Sequence, residues 1–300
     1  MKRKLEDLIR LARYREYLFF VVVTTLLGAS AANGAFGWRL IVILIANWLV
    51  VAFAFMINDI EDAPDDALNP VKALRNPIAA KSLSPRLAWI ATLAVACLSL
   101  LAFAQLGLYP FLTGLSCAIL SFLYSWRKIR LKNIPILDML SHGFMLAGLQ
   151  FLSAFFTFEP GPPSRWVFPF LFLVAISMYG VLFNQLRDLE WDLQAGLRHT
   201  AGRLGNRITF WLMMLFFTLG AGSALITVLV VHLIPSWVLV VLAILTAILV
   251  LPVLLKARQM KSAIDLQGSF QKPLEIAAAS ALAIQFLGTW ALNGLQIRLF

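Results

Sequence analysis

Asn58, Asp62 and Asp66 are repeated in type and spacing by Asn184, Asp188 and Asp192, each triplet reading N-x3-D-x3-D at the end of a long apolar run. On an α-helix, residues four apart lie one turn above each other, so each triplet would form a column of oxygen ligands on one face. Carboxylates crowded in this way repel one another unless a cation lies between them. Hard divalent cations such as Mg2+ take oxygen ligands, keep several waters and bridge one or two carboxylates to a substrate phosphate. The chemistry expected of the two columns together is that of a diphosphate-handling site.

The first column sits in Asn58-Asp59-Ile60-Glu61-Asp62-Ala63-Pro64-Asp65-Asp66, where five acids fall in eight positions of a chain that has only 15 in all. Pro64 lacks an N–H and clashes with the carbonyl of Ile60, so a kink or restart is expected there, with a turn bringing Asp66 to the others. The second stretch, Asn184 to Asp192, has no proline and should continue its helix. A solvated acidic face explains either stretch alone. It does not explain the matched spacing of both.

The elements that must hold these columns are membrane-spanning helices. Hydrophobic residues make up 61% of the 300 and charged residues 13%, and mean hydropathy is +0.84. Runs long enough to span a bilayer, about 20 residues each, recur roughly at 17–36, 38–57, 86–107, 108–126, 134–157, 166–186, 207–232, 235–255 and 273–296. The sequence thus predicts an all-α, polytopic bundle of about nine transmembrane helices forming one domain over 1–300. Two related halves, about 10–132 and 133–256, plus the ninth helix would account for motifs that begin 126 residues apart.

Lys and Arg concentrate in cytoplasmic loops. With nine spans, 22 of the 25 cationic residues fall on the side of the N-terminus, leaving only Arg39, Arg165 and Arg298 on the other. This places the N-terminus inside, the C-terminus outside, and both acidic motifs at the cytoplasmic face. The net charge of +10 follows from that asymmetry and from attraction to anionic headgroups. Nucleic-acid binding is excluded as a reading, because no basic domain stands apart from the spans. The basic start, the apolar run from Tyr17 and Ala29-Ser30-Ala31 imitate a signal peptide, but eight further spans follow and the parity requires this one. Cys97 and Cys117 lie inside apolar runs and read as small packing residues.

With these motifs in view, the chain resembles the UbiA superfamily of intramembrane prenyltransferases over nearly its whole length. The family's NDxxDxxxD is matched by Asn58, Asp59, Asp62 and Asp66, and its DxxxD by Asp188 and Asp192, with Asn184 one turn earlier. Tyr124 and Lys128 fit its Tyr-x3-Lys element. Arg75-Asn76-Pro77 resembles its arginine-proline segment, and His199 to Gly205 a stretch after the second motif. Two departures stand out: Arg13-Tyr14 occupies a place where members often have Arg-Pro, and Lys81 one where glycine is common.

The resemblance implies two Mg2+ ions held by Asn58, Asp59, Asp62, Asp66, Asn184, Asp188 and Asp192, clamping a prenyl diphosphate and favouring its ionisation. Arg75, Lys128, Arg13 and Arg203 would complete the clamp on the diphosphate. The allylic cation needs negative surroundings without a nucleophile, which an aromatic face supplies, and Tyr124 is the candidate. The acceptor would be hydrophobic or aromatic, drawn from the lipid bilayer. Asp138 and His142, one turn apart in the fifth span, would orient or deprotonate that acceptor, or else form a hydrogen bond between helices that fixes packing. Two rival functions use the same carboxylates: transfer of a phosphorylated sugar to a polyprenyl phosphate, and a membrane carrier. Carrier sites lie near the midplane, whereas both motifs close the cytoplasmic ends of spans.

Overall fold

The computed structural model describes residues 2–158, 160–194, 196–256 and 263–294. Arg258, Lys261 and Arg298 of the charge count lie outside the described residues. In chain order the helices are α1 (Lys2–Ala12), α2 (Tyr14–Ala31), α3 (Trp38–Asp66), α4 (Pro70–Arg75), α5 (Pro85–Ala104) and α6 (Leu108–Ser125). They are followed by α7 (Leu137–Gly143), α8 (Leu149–Thr157), α9 (Pro163–Gln194), α10 (Thr200–Leu229), α11 (Ser236–Lys256) and α12 (Ala263–Gly294). A π-helical turn over Phe144–Gly148 joins α7 to α8, so Leu137–Thr157 forms one span.

Every expected span falls on a helix, and eight of the described helices are long and apolar enough to cross a membrane. The first expected span is α2, an 18-residue helix with Arg15 and Glu16 in its first turn that lies outside those eight. Its role is internal. Eleven of its residues are buried, against Val238 alone in α11, so α2 packs inside the bundle while α11 presents its apolar surface outward. α2 touches α3, α8, α9 and α12, and α9 carries α7 on one flank and α10 on another.

The approach of α2 to α8 depends on Gly28. A Cβ there would lie 2.3 Å from the Phe151 carbonyl oxygen, closer than any side chain permits. Beside this contact a polar network crosses the apolar core. Asn47 Nδ2 donates to Thr25 Oγ1 (2.9 Å) and to the Gln150 carbonyl (3.1 Å), and Ser153 Oγ donates to Asn47 Oδ1 (2.9 Å). Gln150 Nε2 in turn donates to the Leu146 carbonyl at 2.6 Å, in the π turn, where the wider helical step leaves carbonyls in need of donors. All these groups are buried, where unpaired polar atoms are costly. Cys117 is buried with its thiol on the Met145 carbonyl (3.1 Å), whereas Cys97, expected inside, is exposed.

The bundle has a charged end and a sparsely charged one. The C-termini of α3 and α9 meet at the charged end. Arg39 lies at the other, lining a cavity with Asn33 and Phe158, and Arg165 is beside the Ser30 carbonyl.

Candidate active site

The acidic stretch of the first motif is helical to its end. α3 runs 29 residues, through Pro64 to Asp66, so the expected restart at Pro64 does not occur. α9 likewise carries Asn184, Asp188 and Asp192 on continuous helix. Two segments then close the space between the helix ends. The first is the strap from Ala67 to Ser84, which contains α4. Asn69 caps α4 by accepting from Val71 N (3.0 Å) and Lys72 N (3.2 Å), and Pro70 supplies the first helical position. The second is the loop from Trp126 to Ile136.

Asp62, Asp65, Asp66 and Asp192 line one cavity of about 300 Å³ together with Lys72 and Arg130. Lys72 Nζ lies 3.0 Å from Asp192 Oδ1 and 4.0 Å from Asp188 Oδ2, so the strap after the first motif delivers a cation to the second. Asp192 also accepts from His199 Nε2 (3.2 Å), while His199 Nδ1 accepts from Gly202 N as the N-cap of α10. Arg187 pairs with its neighbour Asp188 (3.0 Å).

Asp62 is held from the loop: Arg130 Nη2 donates to its Oδ1 at 3.0 Å and Lys132 pairs with its Oδ2. Lys132 also donates to Asn58 Oδ1 (2.9 Å), and Arg130 to Asp65, which Arg127 reaches too (2.6 Å). Burial alone would lower the Arg130 guanidinium, but its bonds to Asp65 and Asp62 outweigh burial and raise it above its ordinary value. Asp66 accepts from Asn76 Nδ2 (2.9 Å), whose other proton goes to the Asp59 carbonyl (2.7 Å). Among the described residues no three His, Cys, Asp or Glu side chains converge on one point as metal ligands. The donors brought to the cavity are all oxygens, the set a hard divalent cation takes.

Several expected residues stand elsewhere. Asp59, expected as a metal ligand, is fully buried, with Oδ1 on Arg13 Nη1 (3.1 Å) and Oδ2 without a partner. Arg13, expected on the diphosphate, spends its guanidinium on Asp59, Glu16 and the Phe55 ring, 4.8 Å from the centroid. It sits at the left-handed joint between α1 and α2 (φ 50°). Burial works to lower its pKa, and the bonds and charges of Glu16 and Asp59 raise it on balance. Lys128 is exposed over the Trp126 ring at 5.6 Å, and Arg203 and Asn184 are exposed and apart from the cavity lining. Arg75 is half-buried with its Nε unpartnered, and its charge acts on Asp59 and Asp66.

Tyr124, at the end of α6, lies within electrostatic reach of Asp138, Asp62 and Asp192, and its ring is 6.2 Å from that of His142. His142 Nδ1 faces Ser177 Oγ at 3.2 Å. Asp138 separates from this pair. Its carboxylate accepts from Gln185 Nε2 (2.7 Å), Thr200 N (2.6 Å), Met139 N (2.8 Å) and the Thr200 hydroxyl. Fully buried and fully engaged, it ties α7 to α9 and α10 and fills the packing role.

Lys72, Arg130 and Lys132 join the site from outside the stretches the sequence singles out, and Asn76 and His199 from within two of them. Asn69-Pro70 is a helix-start signal that could have placed Lys72 on a helix of its own. Nothing in the spacing of residues 127–132 singles out Arg130 and Lys132. Ile129 N and Arg130 N both bond the Trp126 carbonyl (3.0 and 2.7 Å), Arg130 takes φ 51°, and a 3-10 turn follows over Leu131–Asn133. That reversal carries both side chains under Asp62.

Residues 21–270 match the UbiA prenyltransferase family. The chain is 32% identical over 210 residues to a lycopene elongase/hydratase of Haloferax volcanii, covering 67% of this chain and 66% of that protein, slightly under two thirds of its length. A lycopene elongase/hydratase of Haloarcula japonica is 30% identical over 222 residues, 70% of this chain and 72% of the other. The fold is similar to that of a UbiA homolog from Archaeoglobus fulgidus solved bound to GPP and Mg2+. The TM-score is 0.66 and the identity 20%, with 93% of this chain and 99% of that one covered.

Proposed function

The chain belongs to the UbiA prenyltransferase family as an integral membrane protein, and on that premise we propose that it moves a prenyl group from a prenyl diphosphate to an apolar acceptor. The observation that carries this reading is the shared cavity. Asp62 and Asp66 from one helix end and Asp192 from another, far apart in sequence, line a single space with cations at its walls. The A. fulgidus homolog bound to GPP and Mg2+ supports the donor and the metal. The two relatives named for lycopene elongation favour an isoprenoid chain, the lipid-like kind of acceptor, over an aromatic one.

Asn58, Asp62, Asp66, Asp188 and Asp192 are the residues that would hold Mg2+, two ions in this reading, with Asn184 at the edge of the set. Bound there, Mg2+ would supply positive charge against the diphosphate as a leaving group. The rest falls to the chain's own groups. Arg75 adds positive charge beside Asp66. Tyr124 offers its ring face to the allylic cation between the two motifs. His142 is placed beside Tyr124 to take a proton from the acceptor side, and Asp138 holds the helix that carries it. The basic loops around the cavity support its placement at the cytoplasmic face, with the N-terminus inside and the C-terminus outside.

The test is diphosphate release from a panel of prenyl diphosphates by the protein in lipid, with and without Mg2+, alongside D62A and D188A. Release lost in both variants and without Mg2+ is the expected result. Release that survives both substitutions would remove the basis of the proposal.

A further inference from the structure

Each motif in this structure carries its own counter-ion at contact distance. Lys132 Nζ bridges Asn58 and Asp62, Arg130 bridges Asp62 and Asp65, and Lys72 Nζ lies on Asp192 and near Asp188. The carboxylate oxygens they occupy are those a divalent cation would need, so ammonium and metal compete for the same lone pairs. A diphosphate held beside such a metal offers these cations new acceptors within the same cavity.

The side chains are suited to that exchange. Lys132 and Lys72 are point charges on flexible stems, able to swing without moving the backbone. Arg130 lines the cavity, and its Nε is buried with no hydrogen-bond partner although Nη2 serves two aspartates. A guanidinium edge with an unspent Nε donor fits a phosphate in the two-bond geometry that carboxylates and phosphates share. Lys128 lacks these features: it is exposed and stands over Trp126.

We propose that Lys132 and Arg130, with Lys72 opposite, are the groups that bind the donor's diphosphate, and that they reach it by exchanging Asp62 and Asp192 for phosphate oxygens. This rests on a prenyl diphosphate being the donor. In the exchange the same cations hold the motif carboxylates in place and later bind the leaving group.

The exchange has a signature of opposite signs. Removing the Lys132 charge removes a competitor for metal and a ligand for diphosphate at once. Mn2+ binding is read by electron paramagnetic resonance on purified protein in nanodiscs, and binding of inorganic pyrophosphate in the presence of Mn2+ by calorimetry. For K132Q the affinity for Mn2+ alone should rise about tenfold, since repulsion from one nearby charge is lost. Its pyrophosphate affinity should fall by about tenfold to a hundredfold, the range for one charged hydrogen bond. K132R should restore both values, which separates loss of charge from loss of fold. R130Q and K72Q should show the same pair of changes, and K128Q neither.

Parent-level pyrophosphate affinity in both K132Q and R130Q would overturn the assignment, as would a loss confined to K128Q. Loss of both ligands in K132Q that K132R does not restore would overturn the exchange, leaving Lys132 a structural partner of Asp62. A parent protein that binds Mn2+ but not pyrophosphate would instead count against the prenyl diphosphate donor, and the inference would fall with it.

Discussion

Replacing Asp138 by alanine removes an acceptor from three donors on two other helices. Gln185 Nε2 on α9 and Thr200 N on α10 lie 2.7 and 2.6 Å from its Oδ2, and the Thr200 hydroxyl bonds its Oδ1. The side chain is fully buried, so no water replaces the lost oxygens. Bonds between helices in membrane proteins average about 0.6 kcal/mol and reach about 1.7. Unsatisfied buried donors cost about 1–3 kcal/mol. Taking about 1 kcal/mol for each of the three donors, D138A should lose about 3 kcal/mol, a fall of roughly 6 °C in melting midpoint.

Asparagine sharpens the prediction. D138N keeps the shape and one acceptor, but turns an NH2 towards Gln185 Nε2 and Thr200 N together or, flipped, towards the Thr200 hydroxyl and Met139 N. Gln185 cannot flip to accommodate it without giving up its Oε1 bond from Ala201 N (3.0 Å). D138N should therefore fall between D138A and the parent. The measurement is thermal unfolding in detergent, with Mn2+ affinity as a second readout, since Thr200 directly follows the His199 that holds Asp192. A D138A protein that melts with the parent but no longer couples donor ionisation to acceptor product would refute this accounting and put Asp138 on the acceptor.

Three further outcomes are expected. N76A frees the strap from Asp59 and Asp66 and should weaken Mn2+ binding about tenfold, the worth of one hydrogen bond to a charged group, and should also lower the melting midpoint, because the fully buried Asn76 accepts from Ile78 N and Ala79 N as well. G28A forces α2 off the Phe151 carbonyl and should destabilise by about 1–3 kcal/mol, read as a lower melting midpoint; an unchanged midpoint would mean that the α2–α8 contact yields freely. In a cysteine-free background, K4C should react with a membrane-impermeant maleimide only from the cytoplasmic side and A35C only from the other; the reverse pattern would invert the orientation and the placement of the site.

What the sequence discloses and what it hides divide along one physical line. The nine apolar runs and the two N-x3-D-x3-D columns were legible because both are periodic, the first through membrane thickness and the second through the helical turn. The restart expected at Pro64 does not occur: the missing N–H forfeits one bond, to the Ile60 carbonyl, and α3 continues past it to Asp66. The pairs that hold the columns have no period. Arg13, Lys81 and Arg130 all adopt left-handed backbone (φ 50°, 57° and 51°), a conformation uncommon outside glycine, asparagine and aspartate. At Lys81 the resemblance had suggested glycine, and the φ supplies the reason. Each such residue reverses the chain locally and re-aims what surrounds it: Arg13 turns onto Asp59, and Arg130 and Lys132 turn under Asp62 while Lys128 is left outside. A Tyr-x3-Lys spacing measured along a helix assumes that the helix continues, and α6 ends at Ser125, three residues before Lys128. Beyond that point, distance along the sequence no longer predicts direction in space, which is why the cation chosen by spacing and the cations that reach the aspartates differ.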